Sequence, residues 1–314
     1  MSEHKKEMSE EEYLRKHLES IDNQQPTKAN IDDLSAAKPV IASKTSDLQY
    51  FHFDVKQMPC GEYYPSGTNV MVRPALVKEI QSYSMVDDNN FQDIVEKMND
   101  IISSCVRLKF IDGRVGSYLD VKDQDRLYLV FQIRELTFQK GNSLAVTAKC
   151  SCNTEVSLEM KRANFVYHEF DKNLEKFFNK ETRTFKFKLK NGKEYEMAPP
   201  TIGIQKAFTE YIINEHNSKR TPNLAFLKII PFLLPNRSSI TQDGIKSKLD
   251  EFEKMDEISF QFLNAAVNKM VFGIKELRMN CPSCGLEVRS EMVFPNGASG
   301  IFLVPDALTA YIQD

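Results

Sequence analysis

Four of the six cysteines fall in two close pairs: Cys150 with Cys152 in KCSCNTEVSLEM, and Cys281 with Cys284 in NCPSCGLEVRSEM. Thiolates two or three residues apart on a tight turn converge on one point, and two such turns facing one another complete a tetrahedron. A soft four-thiolate set selects zinc or an iron–sulfur centre over harder cations. The pairs share more than sulfur. With Cys152 aligned on Cys284, Glu155, Val156, Glu159 and Met160 match Glu287, Val288, Glu291 and Met292 at the same offsets. The second pair, CPxCG, is a specific knuckle in which Gly285 supplies the positive φ that the turn needs. The first, a CxC, is one residue shorter and a weaker match.

A closed four-thiolate site has no open coordination position, so its metal is structural and not catalytic. Two other readings stay open: Cys281 and Cys284 alone as a degenerate knuckle, or both pairs as redox-active dithiols. A thioredoxin-type site wants its CxxC between a strand and a helix, whereas Glu287-Val288 continues as strand. The pattern therefore favours one structural zinc ion held by Cys150, Cys152, Cys281 and Cys284. Cys60 and Cys105 stand alone and read as small apolar residues, although Cys60 beside Gly61 has the look of half a knuckle.

Nothing else in the sequence supports catalysis, and the expected class is a non-enzyme. The histidines, His4, His17, His52, His168 and His216, are scattered, and no HExxH, GxxxxGK[ST], GxGxxG or GxSxG occurs. The acids Asp87-Asp88 and Asp123 with Asp125 fall at turns and helix starts, where capping accounts for them. Lys186, Lys188, Lys190 and Lys193 interleave with Phe185 and Phe187, a pattern seen in nucleic-acid grooves. Alternation instead puts these lysines on the solvated face of a hairpin, where they also discourage edge pairing. A net charge of −3 leaves no global basic field for nucleic acid or anionic lipid. Near the cysteine turns only Lys149, Arg278 and Arg289 are basic, so a zinc-ribbon nucleic-acid-binding or transcription regulatory protein is the weaker alternative.

The 314 residues, 41% apolar and 27% charged, suffice for a folded core. No apolar run approaches the roughly 18 residues that span a bilayer, and the charged N-terminus lacks the h-region of a signal peptide. A soluble chain in a reducing cytoplasm is expected. Residues 1–47, rich in charge and with Tyr13 as their one aromatic, read as a mostly disordered tail. Ser9 and Glu12 make a capping box for a possible short helix there.

Residues 48–137 read as a turn-rich β segment followed by helices. Phe51, Phe53 and Val55 alternate with polar residues up to the turns at Met58–Gly61 and Tyr64–Gly67. Helical periodicity then recurs in two helices from Pro74 to about Ile102, broken at Asp87–Asn90, and in a third over Asp123–Phe138. Residues 138–314 read as a split zinc-ribbon-like region, 138–160 and 272–294. It is interrupted by a hairpin over 185–197, whose Asn191-Gly192 suits a type I′ turn, and by a helical insert over 200–271. Within the insert, helices are expected over Ile202–Ile213, Asn223–Leu234 and Ile240–Phe272. The fold class is α+β.

The order of these motifs resembles the T4-type bacteriophage baseplate hub subunit and tail-assembly protein family. The resemblance is carried by MPCGEYYPSGTNVMVRPALVKEI, with its step at Arg73-Pro74-Ala75-Leu76, and by DRLYLVFQIRELTF, ending at Ile133–Phe138. The KCSC turn follows, then FKFKLKNGKEYEMAPPTIG with a helix start at Pro200–Gly203. It covers about residues 55–210; the N-terminal tail and the second cysteine turn fall outside the pattern. The resemblance implies a non-enzymatic hub component or assembly factor whose partners are other tail baseplate hub proteins. It would act in the host cytoplasm during assembly and, if it is a component and not a factor that leaves, in the virion tail baseplate.

Overall fold

The structure is a computed structural model, in which the described residues are 39–40, 49–138, 144–159, 165–167, 172–270, 272, 274–290 and 297–302. The helix expected from Ser9 lies outside them.

Alternating apolar residues build the first sheet. Pro39–Val40 (β1), Tyr50–Asp54 (β2), Asn69–Val72 (β3), Val106–Lys109 (β4) and Val115–Gly116 (β5) pair antiparallel in chain order. The register sets Val70 opposite both Phe53 and Leu108, and all three are buried. Between β2 and β3 the chain makes two 3-10 turns, Val55–Gln57 and Gly61–Tyr63. A Cβ on Gly61 would lie 2.2 Å from the Val55 carbonyl oxygen, so only glycine lets the two turns pass.

Two expected helices, Val77–Ser84 (α1) and Phe91–Cys105 (α2), cross between β3 and β4. Asn90 caps α2 by accepting the N–H groups of Gln92 and Asp93 at 3.1 and 3.3 Å. The third, Arg126–Thr137 (α3), follows a 3-10 turn at Asp123–Asp125. It is buried nearly all round, Tyr128–Arg134 and Leu136 included, which marks a central helix. Its Arg134 donates from Nε to the Ile301 carbonyl, and the Phe302 ring of the same returning segment lies 4.9 Å from Tyr83 of α1.

In the second half, Ala145–Lys149 (β6) and Glu155–Glu159 (β7) form a hairpin, followed by Phe165–Tyr167 (β8) and the short helix Lys172–Glu175 (α4). Phe178–Asn179 (β9), Thr184–Lys188 (β10) and Glu194–Met197 (β11) make a sheet in the order β11-β10-β9. Phe185 and Phe187 are buried and Lys186 and Lys188 exposed, as alternation requires. The turn is not the expected type I′. Of its central residues only Gly192 has a positive φ, 81°, and the Leu189 N–H donates to the Lys193 carbonyl at 2.8 Å. The Asn191 side chain accepts the Lys193 N–H within the turn at 3.0 Å and also donates to Ser259 Oγ at 3.0 Å.

The insert comprises Ile202–Asn217 (α5), Leu224–Ile229 (α6), Gln242–Glu253 (α7) and Glu257–Lys269 (α8). The segment expected as one helix over Asn223–Leu234 tightens to a 3-10 turn at Ile230–Leu233, where Pro231 has no N–H to give. The segment expected as one helix over Ile240–Phe272 breaks before Asp256, which caps α8 by accepting the Ser259 N–H at 2.9 Å. Ile274–Asn280 (β12) and Glu287–Ser290 (β13) form the second cysteine hairpin, in a sheet ordered β13-β12-β8. The Tyr63 ring packs against Phe178, Phe185 and Phe272 at 5.6, 5.8 and 5.1 Å, so the β2–β3 turns, the lysine hairpin and the end of the insert share one cluster. Among the described residues no helix is long and apolar enough to cross a membrane.

Candidate metal centre

The repeat seen in the sequence is a repeat of hairpins. Lys149 pairs with Glu155 and Ala148 with Val156 in the first, and Asn280 pairs with Glu287 and Met279 with Val288 in the second. Each cysteine turn closes in the same way. The Cys150 N–H donates to the Thr154 carbonyl and the Cys281 N–H to the Leu286 carbonyl, both at 2.9 Å. The left-handed position is taken by Asn153 (φ 66°) in the shorter turn and by Gly285 (φ 73°) in the longer one. Asparagine tolerates that region better than most residues, so a CxC ending in Asn does the work of a CxxC ending in Gly.

The hairpins meet over a small core of Cys150, Val156, Met279, Cys281 and Val288. All four paired cysteines converge there, their sulfurs within 4.8 Å of one another. Cys150 Sγ lies 3.5 Å from Cys284 Sγ, and Cys152 Sγ lies 3.6 Å from Cys281 Sγ. A tetrahedron with Zn–S bonds of ~2.3 Å has S···S edges of about 3.8 Å. The spacing fits one small tetrahedral ion and is too tight for cysteines spread around several irons. Cys150 and Cys281 are buried, while Cys152 and Cys284 reach the surface.

The electrostatics of the cluster favour a cation. The Thr154 hydroxyl, 3.2 Å from Cys152 Sγ, and the Thr154 N–H pull the Cys152 thiol down to about 6. Burial pushes the Cys281 thiol up, but the N–H groups of Cys284 and Ser283 outweigh it and the net shift is down. At Cys284 the Leu286 N–H pulls down, yet the crowd of Cys150, Cys152 and Cys281 sulfurs holds the thiol up at about 12. Four sulfurs this close cannot all shed their protons alone; a divalent ion among them removes the conflict. The four residues can therefore hold a metal ion.

Cys60 and Cys105 take no part. Both are buried, and burial pushes both thiols up, that of Cys105 to about 12. Of the acids read as caps, Asp125 does something different: it is fully buried and accepts the Cys60 N–H and the Tyr64 hydroxyl, each at 2.8 Å. The Tyr64 oxygen in turn accepts the Lys122 N–H at 2.8 Å, and buried Lys122 donates its Nζ to the Pro199 carbonyl at 3.1 Å. Asp88 is also more than a local cap, since it accepts the Ser299 N–H and hydroxyl at 3.0 and 2.7 Å. These long-range partners left no local pattern; the one available signal was a lysine and two acids in a row of turn residues, Lys122 to Asp125.

The motifs that carried the family resemblance are joints between segments. Arg73 donates to both carboxylate oxygens of Glu79, at 2.9 and 2.7 Å, and to the Ser104 carbonyl at 3.0 Å. Thr137, near the end of IRELTF, accepts the Ala75 N–H at 2.9 Å. Thr201 of PTIG caps α5 and donates to the Arg237 carbonyl at 2.6 Å. Three of the four hairpin lysines, Lys188, Lys193 and Lys186, pair with Glu194, Asp256 and Glu196 at 3.0, 3.1 and 4.0 Å.

The model of the T4 bacteriophage base plate protein family matches residues 58–299, and the chain belongs to that family. The match takes in both cysteine turns, the lysine hairpin and the helical insert. It therefore corrects the narrower extent of the resemblance, which had left the second cysteine turn outside. No curated protein and no solved structure matches the chain.

Proposed function

We propose that this baseplate protein is a non-enzymatic component or assembly factor of the tail baseplate hub, working through protein–protein contacts on a scaffold stapled by one zinc ion. The observation that carries the reading is the family match across residues 58–299, which spans the whole cysteine-bearing region. Cys150, Cys152, Cys281 and Cys284 are its zinc ligands. With four thiolates the coordination sphere is full, so the ion joins the two hairpins and binds no substrate. The polar clusters described above tie segments together, Asp125 to Cys60 and Tyr64 and Asp88 to Ser299. Partners are the other hub proteins of the tail, met in the host cytoplasm during assembly. The alternative, a zinc-ribbon nucleic-acid binder, is disfavoured by the pairing of the hairpin lysines with acids.

The test is a tagged pull-down from infected cells with mass spectrometry of the bound proteins, repeated on purified particles. Recovery of tail hub proteins supports the reading, and presence in the particle separates a component from an assembly factor. Recovery of nucleic acid or polymerase without tail proteins overturns it.

A further inference from the structure

The close sulfur contacts run across the two hairpins, and each joins one buried sulfur to one exposed one: Cys150 to Cys284 at 3.5 Å, Cys281 to Cys152 at 3.6 Å. We propose that the cluster is a staple with two chemical forms, a metal tetrathiolate when reduced and a pair of inter-hairpin disulfides, Cys150–Cys284 and Cys152–Cys281, after reaction with a peroxide. The proposal rests on the four-thiolate metal reading above for its reduced form.

The chemistry balances with peroxide as the oxidant. An exposed thiolate, Cys152 or Cys284, attacks one peroxide oxygen, giving a sulfenic acid and hydroxide. The facing buried thiolate, Cys281 or Cys150, then attacks the sulfenic sulfur, forming the disulfide and expelling a second hydroxide. Four thiolates and two molecules of hydrogen peroxide become two disulfides and four hydroxides, and the divalent ion is released with its charge unchanged. Both bonds need the sulfurs to close from about 3.5 Å to the ~2.05 Å of a disulfide, a movement confined to the two turns. Each turn lies between strands, β6 and β7 or β12 and β13, with no helix start beneath it, so the exchange is stoichiometric and not a catalytic cycle. Because the new bonds join the same two hairpins, the tertiary link survives loss of the ion. Cys60 and Cys105 are buried away from the cluster and offer no competing partner.

The test uses the full chain purified under reducing conditions, with metal content measured first by elemental analysis. Hydrogen peroxide is then added, released metal is read with a chromophoric chelator, and disulfides are mapped by proteolysis and fragmentation mass spectrometry without reduction. The expected result is stoichiometric metal release, a fall in titratable thiols from six to two, and a cross-linked pair of peptides from the two hairpins with the stated connectivity. Dithiothreitol and added zinc should reverse it. Links within one turn, Cys150–Cys152 or Cys281–Cys284, sulfinic acids in place of disulfides, or six surviving thiols overturn the proposal. Absence of metal before oxidation counts against the metal reading alone, since the cross-links are scored independently.

Discussion

The hydroxyl of Tyr64 donates to the carboxylate of Asp125 across 2.8 Å, in a place where both groups are cut off from water. Burial, against the pull of the Cys60 N–H and the Tyr64 hydroxyl, raises the Asp125 carboxyl to about 7, and burial lowers the nearby Lys122 to about 8. In the folded state Asp125 holds its proton more tightly than in the unfolded chain. Its contribution to stability is complete below about pH 4 and is lost as pH rises to 7. Lys122 releases its proton earlier when folded, so its contribution grows above pH 8. The melting temperature should therefore fall between pH 5 and 7, and Asp125→Asn should remove that slope. A variant that keeps the wild-type slope would assign it to other groups. Tyr64→Phe leaves the Lys122 N–H without its acceptor and should cost about 2 kcal/mol, measured by urea unfolding.

The Arg73–Glu79 pair makes an opposite pH signature. The Arg73 guanidinium, against burial, holds the Glu79 carboxyl down at about 2. This stabilisation is present above about pH 4.5 and drains away as pH falls towards 2. Glu79→Gln leaves the largely buried guanidinium without its charge partner and should cost about 3 kcal/mol at pH 7. The same variant should lose less than the wild type between pH 5 and 3, when stability is compared by denaturant titration at each pH.

Removal of the metal should unfold the cysteine region, since the free energy of binding at such a site is folding free energy. Elemental analysis should find one zinc per chain in the wild type and none in Cys281→Ser, with Cys60→Ser unchanged in content. A chelator should lower the wild-type melting temperature to that of Cys281→Ser. Full metal content and an unaltered melting temperature in Cys281→Ser would refute the assignment.

Gly203, in the first turn of α5, tests the PTIG joint. A Cβ there would sit 1.9 Å from the Ser238 carbonyl oxygen, a backbone atom with no easy escape. Gly203→Ala should cost about 3 kcal/mol through overpacking, read as a shift of the urea midpoint. Gly244→Ala, in the first turn of α7, should be milder, because its nearest neighbours are the side chains of Ile240 and Thr241.

Local chemistry was legible before any coordinates. The cysteine hairpins announce themselves within a dozen residues, and the lysine hairpin follows from period-two alternation between Phe185 and Leu189. The helix starts at Asn90 and Thr201 carry their own caps. What stayed hidden depends on partners far along the chain. Asp125 imitates a first-turn acid because its true partners, Cys60 and Tyr64, are 65 and 61 residues away. The α3 helix is apolar nearly all round in its sequence, yet nothing there reveals that Arg134 donates to the Ile301 carbonyl, 167 residues away. The break before α8 has no Gly or Pro to mark it, only the cap that Asp256 provides.

The separation between the two hairpins has a consequence in time. Translation at ~5–20 residues per second needs roughly 7–27 s to cover the 134 residues from Cys150 to Cys284. The first hairpin therefore leaves the ribosome as half a binding site, with two sulfurs and a weak hold on any ion. Only a chain translated through its second hairpin can close the four-cysteine cluster, so under the proposed zinc reading tight ion uptake would report that synthesis has passed Cys284, and a product terminated earlier would lack the staple.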